Sequence, residues 1–328
     1  MAESSYWTSL HAQLHQTLRQ RQLLAKRERV LIAVSGGQDS LCLSKLLSDL
    51  QPKWQWQLGI AHCDHGWASD VGIAAWVKQF TQTLDLPFYL KTTTGLKETE
   101  AAARQWRYGA LIEIAREENF QFVVTGHTKT DLGETLLYNL LRGSGTDGLQ
   151  SLSWQRPLSK DIQLIRPLLN ISRPETLQFC QQFQLPIWED EVNQNLRYAR
   201  NRIRQELIPY LKTHFNPQVE TALAQTAEVL RAEVEYQEQV VTTLYKKVAQ
   251  EPRKINRREL KNSPLAIQRR VMRQFLQTYL PSAPTFGQIE ALTNLISAPN
   301  RSQTSSLPGG AIAKVQQNEI ILEFLTDN

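Results

Sequence analysis

Ser35, Gly36, Gly37, Gln38, Asp39 and Ser40 make a short polar turn between an apolar run at residues 30–34 and a stretch of helical periodicity. A strand, a glycine pair and a helix start, in that order, form a cradle for an oxyanion. The glycines let the backbone reach φ > 0 and bring N–H groups up to an anion, and the helix N-terminus adds the positive end of its dipole. No Gly-Lys-Ser/Thr ending follows, so the loop lacks the lysine that grips β and γ phosphates in common nucleotide loops. The chemistry this predicts is phosphate binding without attack at the γ position. The alternative is an ordinary strand-to-helix turn with Ser35 as N-cap.

Two further polar clusters follow strand-like runs. One is His62-Cys63-Asp64-His65-Gly66, the other Gly126-His127-Thr128-Lys129-Thr130-Asp131-Leu132-Gly133-Glu134-Thr135. Asp131 and Glu134 are spaced i, i+3, which puts both carboxylates on one face at a helix N-terminus. Beside a phosphate such a pair suits Mg²⁺, a cationic amine or base chemistry. The competing explanation is a helix cap, with Asp131 capping and Glu134 completing a box. His62, His65 and His127 have neither the i, i+4 spacing nor the cysteine partners of a zinc site, so adenosine contact or a strand-end hydrogen bond suits them better. Arg104 and Arg107 lie one turn apart on a helix. Arg107 is the candidate for neutralising a phosphate, and Arg104 reads more as a solvated face. Cys63 reads as a buried strand cysteine without a role.

The elements that must position these groups alternate in type. Strands are predicted at residues 30–34, 57–62, 87–91 and 120–125, with helices at 39–50, 69–84, 98–118 and 131–142. That alternation predicts an α/β fold with a doubly wound, mostly parallel sheet, whose ligands bind at the carboxyl ends of the strands. The phosphate turn, His62 and the segment from Gly126 to Asp131 all fall there. An edge strand near 162–166 and helices at 172–184, 198–212, 217–250, 257–279 and 286–296 come next, followed by short strands at 305–307, 311–315 and 319–324. The expected domains are 1–215, nucleotide-binding, and 216–328, α-rich with a small terminal β element.

With 328 residues and 41% apolar content, two globular domains are affordable in core material. No apolar run approaches membrane-spanning length and the start has no leader pattern, so no membrane partner and a cytoplasmic location are expected. Cys42, Cys63 and Cys180 form no Cys-x-x-Cys pair. The formal charge is +5, yet residues 251–273 alone hold eight Lys or Arg against two acids.

The string Ser35 to Ser40 resembles the PP-loop of the ATP pyrophosphatase superfamily, which cleaves ATP between the α and β phosphates. On that resemblance the loop, with Gly126, His127 and His62 nearby, binds ATP, and Asp39 organises Mg²⁺. The wider order of motifs is similar to that of the tRNA(Ile)-lysidine synthetase family. It runs Ser-Gly-Gly-x-Asp-Ser, His-x-Asp-His-Gly, Arg-x-x-Arg-Tyr, Gly-His with an acidic helix start, then Leu-x-x-Leu-x-Arg-Gly-x-Gly. Further on come Ile165-Arg166-Pro167-Leu168-Leu169 and Arg200-Asn201-Arg202-Ile203-Arg204. Two departures stand out: Thr130 occupies the place of a family Asp, and Gly66-Trp67 replaces Gly-Leu-Arg.

The resemblance implies an adenine nucleotide hydrolase-like fold and a ligase that adenylates the wobble cytidine of a CAU-anticodon isoleucine tRNA. Free L-lysine then displaces AMP to form lysidine. It implies Asp39, Arg107, Asp131 and Glu134 as catalytic groups, ATP as substrate, and Mg²⁺ on Asp39 and Asp131. The tRNA would lie on Arg200, Arg202 and Arg204, with Arg197 beside them, and on Arg257, Arg258, Arg269 and Arg270 of the basic stretch. A tRNA thiolase on the same fold is the alternative, though its usual paired cysteines are missing. A homodimer is compatible with the sequence.

Overall fold

The structure, a computed structural model, describes residues 7–188, 196 and 198–324, the side chain of Ser69 apart. The chain divides into two compact units, residues 1–231 and 232–328.

In the first unit, β1 (Arg29–Ala33), β2 (Gln57–Asp64), β3 (Phe88–Thr92), β4 (Phe122–Thr125), β5 (Gln155–Pro157) and β6 (Gln163–Ile165) form one sheet in the order β3-β2-β1-β4-β6-β5. All neighbours run parallel except β5 against β6. The expected fold class is therefore present, with β5 as an added antiparallel edge. Alternate residues of the apolar strands serve opposite faces, as the period of two requires. Val30 and Ile32 join a core with α1 (Ser9–Gln20), α2 (Gln38–Trp54), α3 (Ile73–Thr83) and α7 (Arg173–Gln182). Leu31, Ala61 and Val123 point the other way, onto α4 (Glu100–Glu117). The chain crosses from one side of β1 to the other between β3 and β4. At that switch point the polar loops of three strands meet.

The long helix α10 (Val219–Val248) starts two residues after the expected connector, but its first turns belong to the catalytic unit. Ala227 is buried in that unit's core, and the Arg231 guanidinium donates to the carbonyls of Gln150 and Leu152. The compact boundary therefore lies after Arg231, sixteen residues beyond the expected 215.

In the second unit, β7 (Lys254–Asn256), β9 (Glu319–Phe324) and β8 (Ala311–Gln316) form a three-stranded antiparallel sheet in that order. Its core joins Ile255, Ile320 and Leu322 to Val271, Phe275 and Leu276 of α12 (Leu265–Tyr279) and to Leu292 of α13 (Phe286–Asn294). The helix expected over 257–279 is broken into α11 (Arg257–Leu260) and α12, because Pro264 has no N–H to continue the ladder. The segment at 305–307 contributes an isolated bridge, Leu307 with Ala311, and no strand. Among the described residues no helix is long and apolar enough to cross a membrane.

Candidate active site

At the carboxyl edge of the first sheet lies a cleft of about 420 Å³ lined by the phosphate turn, His62, Gly126, His127, Asp131, Arg104 and Arg107, among others. Gly36 takes φ +92°, and its carbonyl accepts the Trp188 N–H at 3.1 Å. The N-cap of α2 is Gly37, which has no side chain, so Ser35 does not cap the helix. The Ser40 N–H turns back to the Gly37 carbonyl at 3.1 Å, and the Gln38 and Asp39 amides, which a helix does not use internally, face a ligand. Ser40 is buried, and its hydroxyl donates to the Gly37 carbonyl and accepts the Ser35 N–H, so it closes the turn from inside. Gly126 is needed for close approach: a Cβ there would stand 2.8 Å from the Asp39 carbonyl carbon and oxygen.

Gln38, expected to contact ATP, keeps only its backbone amide in the turn. Its side-chain amide points out of the turn, donating to the Arg173 carbonyl at 2.7 Å and to Thr176 Oγ1 at 3.1 Å, which locks α2 to α7. The same helix supports Asp39. Thr176 donates to Asp39 Oδ1 at 2.5 Å, and Arg173 Nε stands 3.9 Å from Oδ2. Nothing local in the sequence linked these residues to Asp39.

The two acids of α5 (Lys129–Leu141) divide their work. Thr128 is the N-cap and Asp131 the third residue of its capping box, so the cap expected at Asp131 sits three residues earlier. Asp131 Oδ2 accepts from the Thr128 N–H and hydroxyl, while Oδ1 accepts from Arg204 at 3.0 Å. Glu134 is almost fully buried and takes Arg204 in a two-pronged pair, Nε to Oε1 at 2.5 Å and Nη2 to Oε2 at 2.8 Å. Arg204 belongs to a π-helical turn, Ile203–Leu207, which faces it inward. Its guanidinium, expected on tRNA, is divided here between two carboxylates. Thr130, in place of the family acid, is buried and accepts the Arg173 N–H at the start of α7.

The charges explain the proton equilibria. Burial, then the charge of Asp131, pushes the Asp39 carboxyl up to about 6 against the pull of Arg173 and Thr176. Burial pushes Glu134 up to about 7, with Arg204 opposing. For Asp131 burial is outweighed by His127, Arg204 and Thr128, and its pKa falls. Among the described residues no three metal-capable side chains converge. Asp39 and Asp131 nevertheless fit Mg²⁺: both present hard oxygens, and their repulsion is relieved by a cation whose remaining positions phosphate oxygens and water can fill.

Imidazoles and guanidinium groups also line the cleft. His62 Nδ1 donates to the Val34 carbonyl at 2.8 Å, and its buried Nε2 meets no partner among the described residues. His127 Nδ1 lies 2.8 Å from Thr125 Oγ1. Burial lowers the pKa of both rings. Arg107 is exposed to the cleft, and Arg104 also lines it rather than facing solvent. Arg200 lines the cleft and pairs with Glu100 at 2.6 Å, while Arg202 is exposed. Arg197 lies outside the described residues.

The basic stretch of the second unit is less available than its charge implied. Arg270 is buried and donates to Gln237 at 2.6 Å and Glu238 at 2.8 Å. Arg269 forms a two-pronged pair with Glu290, and Arg257 spends its guanidinium on the carbonyls of Gln317, Leu295 and Ala298. These three are tied into the fold. Arg258 and Lys261 are exposed.

Comparison with known proteins accords with this geometry. Residues 7–211 match the family described as PP-loop domain, and residues 256–320 the TilS substrate binding domain. A tRNA(Ile)-lysidine synthase of Nostoc sp. is 58% identical over 96% of this chain and 97% of its own. One from Synechocystis sp. is 56% identical over 94% and 96%, and a chloroplastic one from Zygnema circumcarinatum 37% identical over 84% and 77%. Among solved structures, the U34-tRNA thiolase NcsA of Methanococcus maripaludis covers 67% of this chain and 77% of its own with a TM-score of 0.56. At 20% identity that likeness speaks for the fold alone. With a family match over more than half of its length and relatives more than half identical from end to end, this chain belongs to the tRNA(Ile)-lysidine synthase family.

Proposed function

We propose that this enzyme is a ligase that joins free L-lysine to C2 of the wobble cytidine in an isoleucine tRNA with a CAU anticodon, converting ATP to AMP and diphosphate. The observation that carries the reading is the meeting, in one cleft of a chain of this family, of an uncapped α2 N-terminus with Asp39 and Asp131. The turn amides hold the departing diphosphate. The cytidine O2 attacks the α phosphorus while Arg107 balances the charge that develops. When bound, Mg²⁺ on Asp39 and Asp131 neutralises the phosphates.

In the second step the lysine ε-nitrogen attacks C2, the bond from C2 to the phosphate-bearing oxygen breaks, and AMP leaves. A lysine ammonium beside Asp131 and Glu134 competes with Arg204 for the same oxygens. Glu134, raised toward neutrality by burial, suits the uptake of the proton the amine must lose. His62 offers its unpartnered Nε2 to a donor of the adenosine. The reaction needs one copy of the cleft, and we place it in the cytoplasm with the tRNA pool. The product would pair with A in place of G and change the tRNA from methionine to isoleucine identity.

The test is a mass measurement of the wobble base after incubation of tRNA, ATP and enzyme with and without lysine. A lysine-dependent gain equal to one lysine less one water is expected. A modified base that forms without lysine would overturn the reading.

A further inference from the structure

The mouth of the cleft carries an aromatic surface that the phosphate chemistry does not use. His65 and Trp67 stack with centroids 4.9 Å apart and planes 24° apart, and Trp106 stands edge-on to His65 at 5.3 Å and 61°. The stack is held at both ends. Asp70 accepts from His65 Nδ1 at 3.0 Å, which leaves Nε2 toward Arg107 at 3.5 Å, and the Trp67 indole N–H donates to the Leu96 carbonyl at 3.2 Å. Gly66 makes the reversal that places Trp67 there. It takes φ +69°, and a Cβ on it would fall 2.2 Å from the Thr93 carbonyl oxygen. Both His65 and Trp67 are half-buried and line the cleft.

We propose that the Trp67–His65 stack is the platform on which the wobble cytosine lies once it leaves the anticodon stack. This rests on the function proposed above. A base bound by its face keeps its edge free, and the C2 oxygen that must be adenylated is on that edge. The platform stands beside Arg107, the cation assigned to the α phosphate, so base and phosphate are brought to one place. Adenine is better served deeper, where Ala33, Ala61 and Leu111 give the cleft an apolar floor. Stacking is indifferent to base identity, so Trp67 supplies affinity and position while selection of cytosine falls to other groups.

Trp67→Ala and Trp67→Phe test this, by steady-state kinetics with tRNA and ATP varied separately. A second arm measures binding of an anticodon stem-loop carrying either cytidine or an abasic sugar at the wobble position. Trp67→Ala is expected to raise the KM for tRNA about tenfold, with the KM for ATP unchanged and Trp67→Phe close to the parent. Its binding penalty should vanish on the abasic stem-loop. An unchanged KM for tRNA, an equal penalty on the abasic stem-loop, or a rise in the KM for ATP instead would each overturn the proposal. Should Trp67→Ala fail to fold, Trp67→Leu fills the space without a π face and carries the same expectations. Failure of the parent enzyme to make lysidine would sink the functional reading, and the stem-loop measurement would still decide the stacking.

Discussion

Arg204 holds Glu134 through both carboxylate oxygens, at 2.5 and 2.8 Å, and reaches Asp131 with the same Nη2. Seventy residues separate the pair in sequence. Because Glu134 is only 2% exposed, loss of its partner leaves a carboxylate buried without a cation. Arg204→Ala is expected to destabilise the first unit by about 3 kcal/mol, measured by denaturant unfolding. Arg204→Lys should recover little of this, since a single ammonium lacks the flat fork that spans two oxygens. Recovery to parent stability by lysine would show that only the charge matters.

Burial of the Asp39 carboxyl has a cost in stability. Its folded pKa of about 6 lies above the ordinary 3.8, so its contribution to stability falls as pH rises through that window. Above pH 6 the full cost, up to about 3 kcal/mol, is present. Asp39→Asn should therefore melt higher than the parent at pH 8 while losing ATP-dependent release of diphosphate. Equal melting temperatures at pH 8 would contradict the assigned proton equilibrium.

On the proposed function the same carboxyl would hold Mg²⁺. Mg²⁺ needs Asp39 ionised, so affinity for Mg·ATP should weaken as pH falls below about 6, with protons released on binding near that pH. Calorimetry in buffers of different ionisation enthalpy measures the released proton directly. Binding without proton release at pH 6 would place the metal elsewhere.

The cations of the second unit separate into two groups by what they touch. Arg258→Glu with Lys261→Glu, both on the surface, should weaken tRNA binding and lower its salt slope by one to about two, with unfolding unchanged. Arg270→Ala, which strips a buried cation from Gln237 and Glu238, should cost about 2 kcal/mol in stability instead. An unaltered salt slope in the double variant would remove Arg258 and Lys261 from the RNA surface.

The catalytic sheet was legible because its signals are local. Residues 30–34 and 120–125 are apolar enough to be buried on both faces, and a glycine pair before a helical pattern has few other uses. The elements that escaped notice were those with weak local signals. Among them α1 exposes mostly uncharged residues, and β5 and β7 are three-residue strands that exist only because a partner strand stands beside them.

Side-chain roles divided along the same line. Residue types and spacing alone determined that this chain has a phosphate turn, two acids at a helix start and arginines within reach of one sheet edge, because those features depend on neighbours within a turn or a strand. Only the tertiary structure decided what each group touches. Gln38 left the phosphate turn for α7, Thr176 came to Asp39 from 137 positions away, and Arg204 and Arg270 turned inward to carboxylates. A charge in a sequence declares its sign, but whether it meets solvent, substrate or a buried counter-charge depends on packing between segments far apart in the chain.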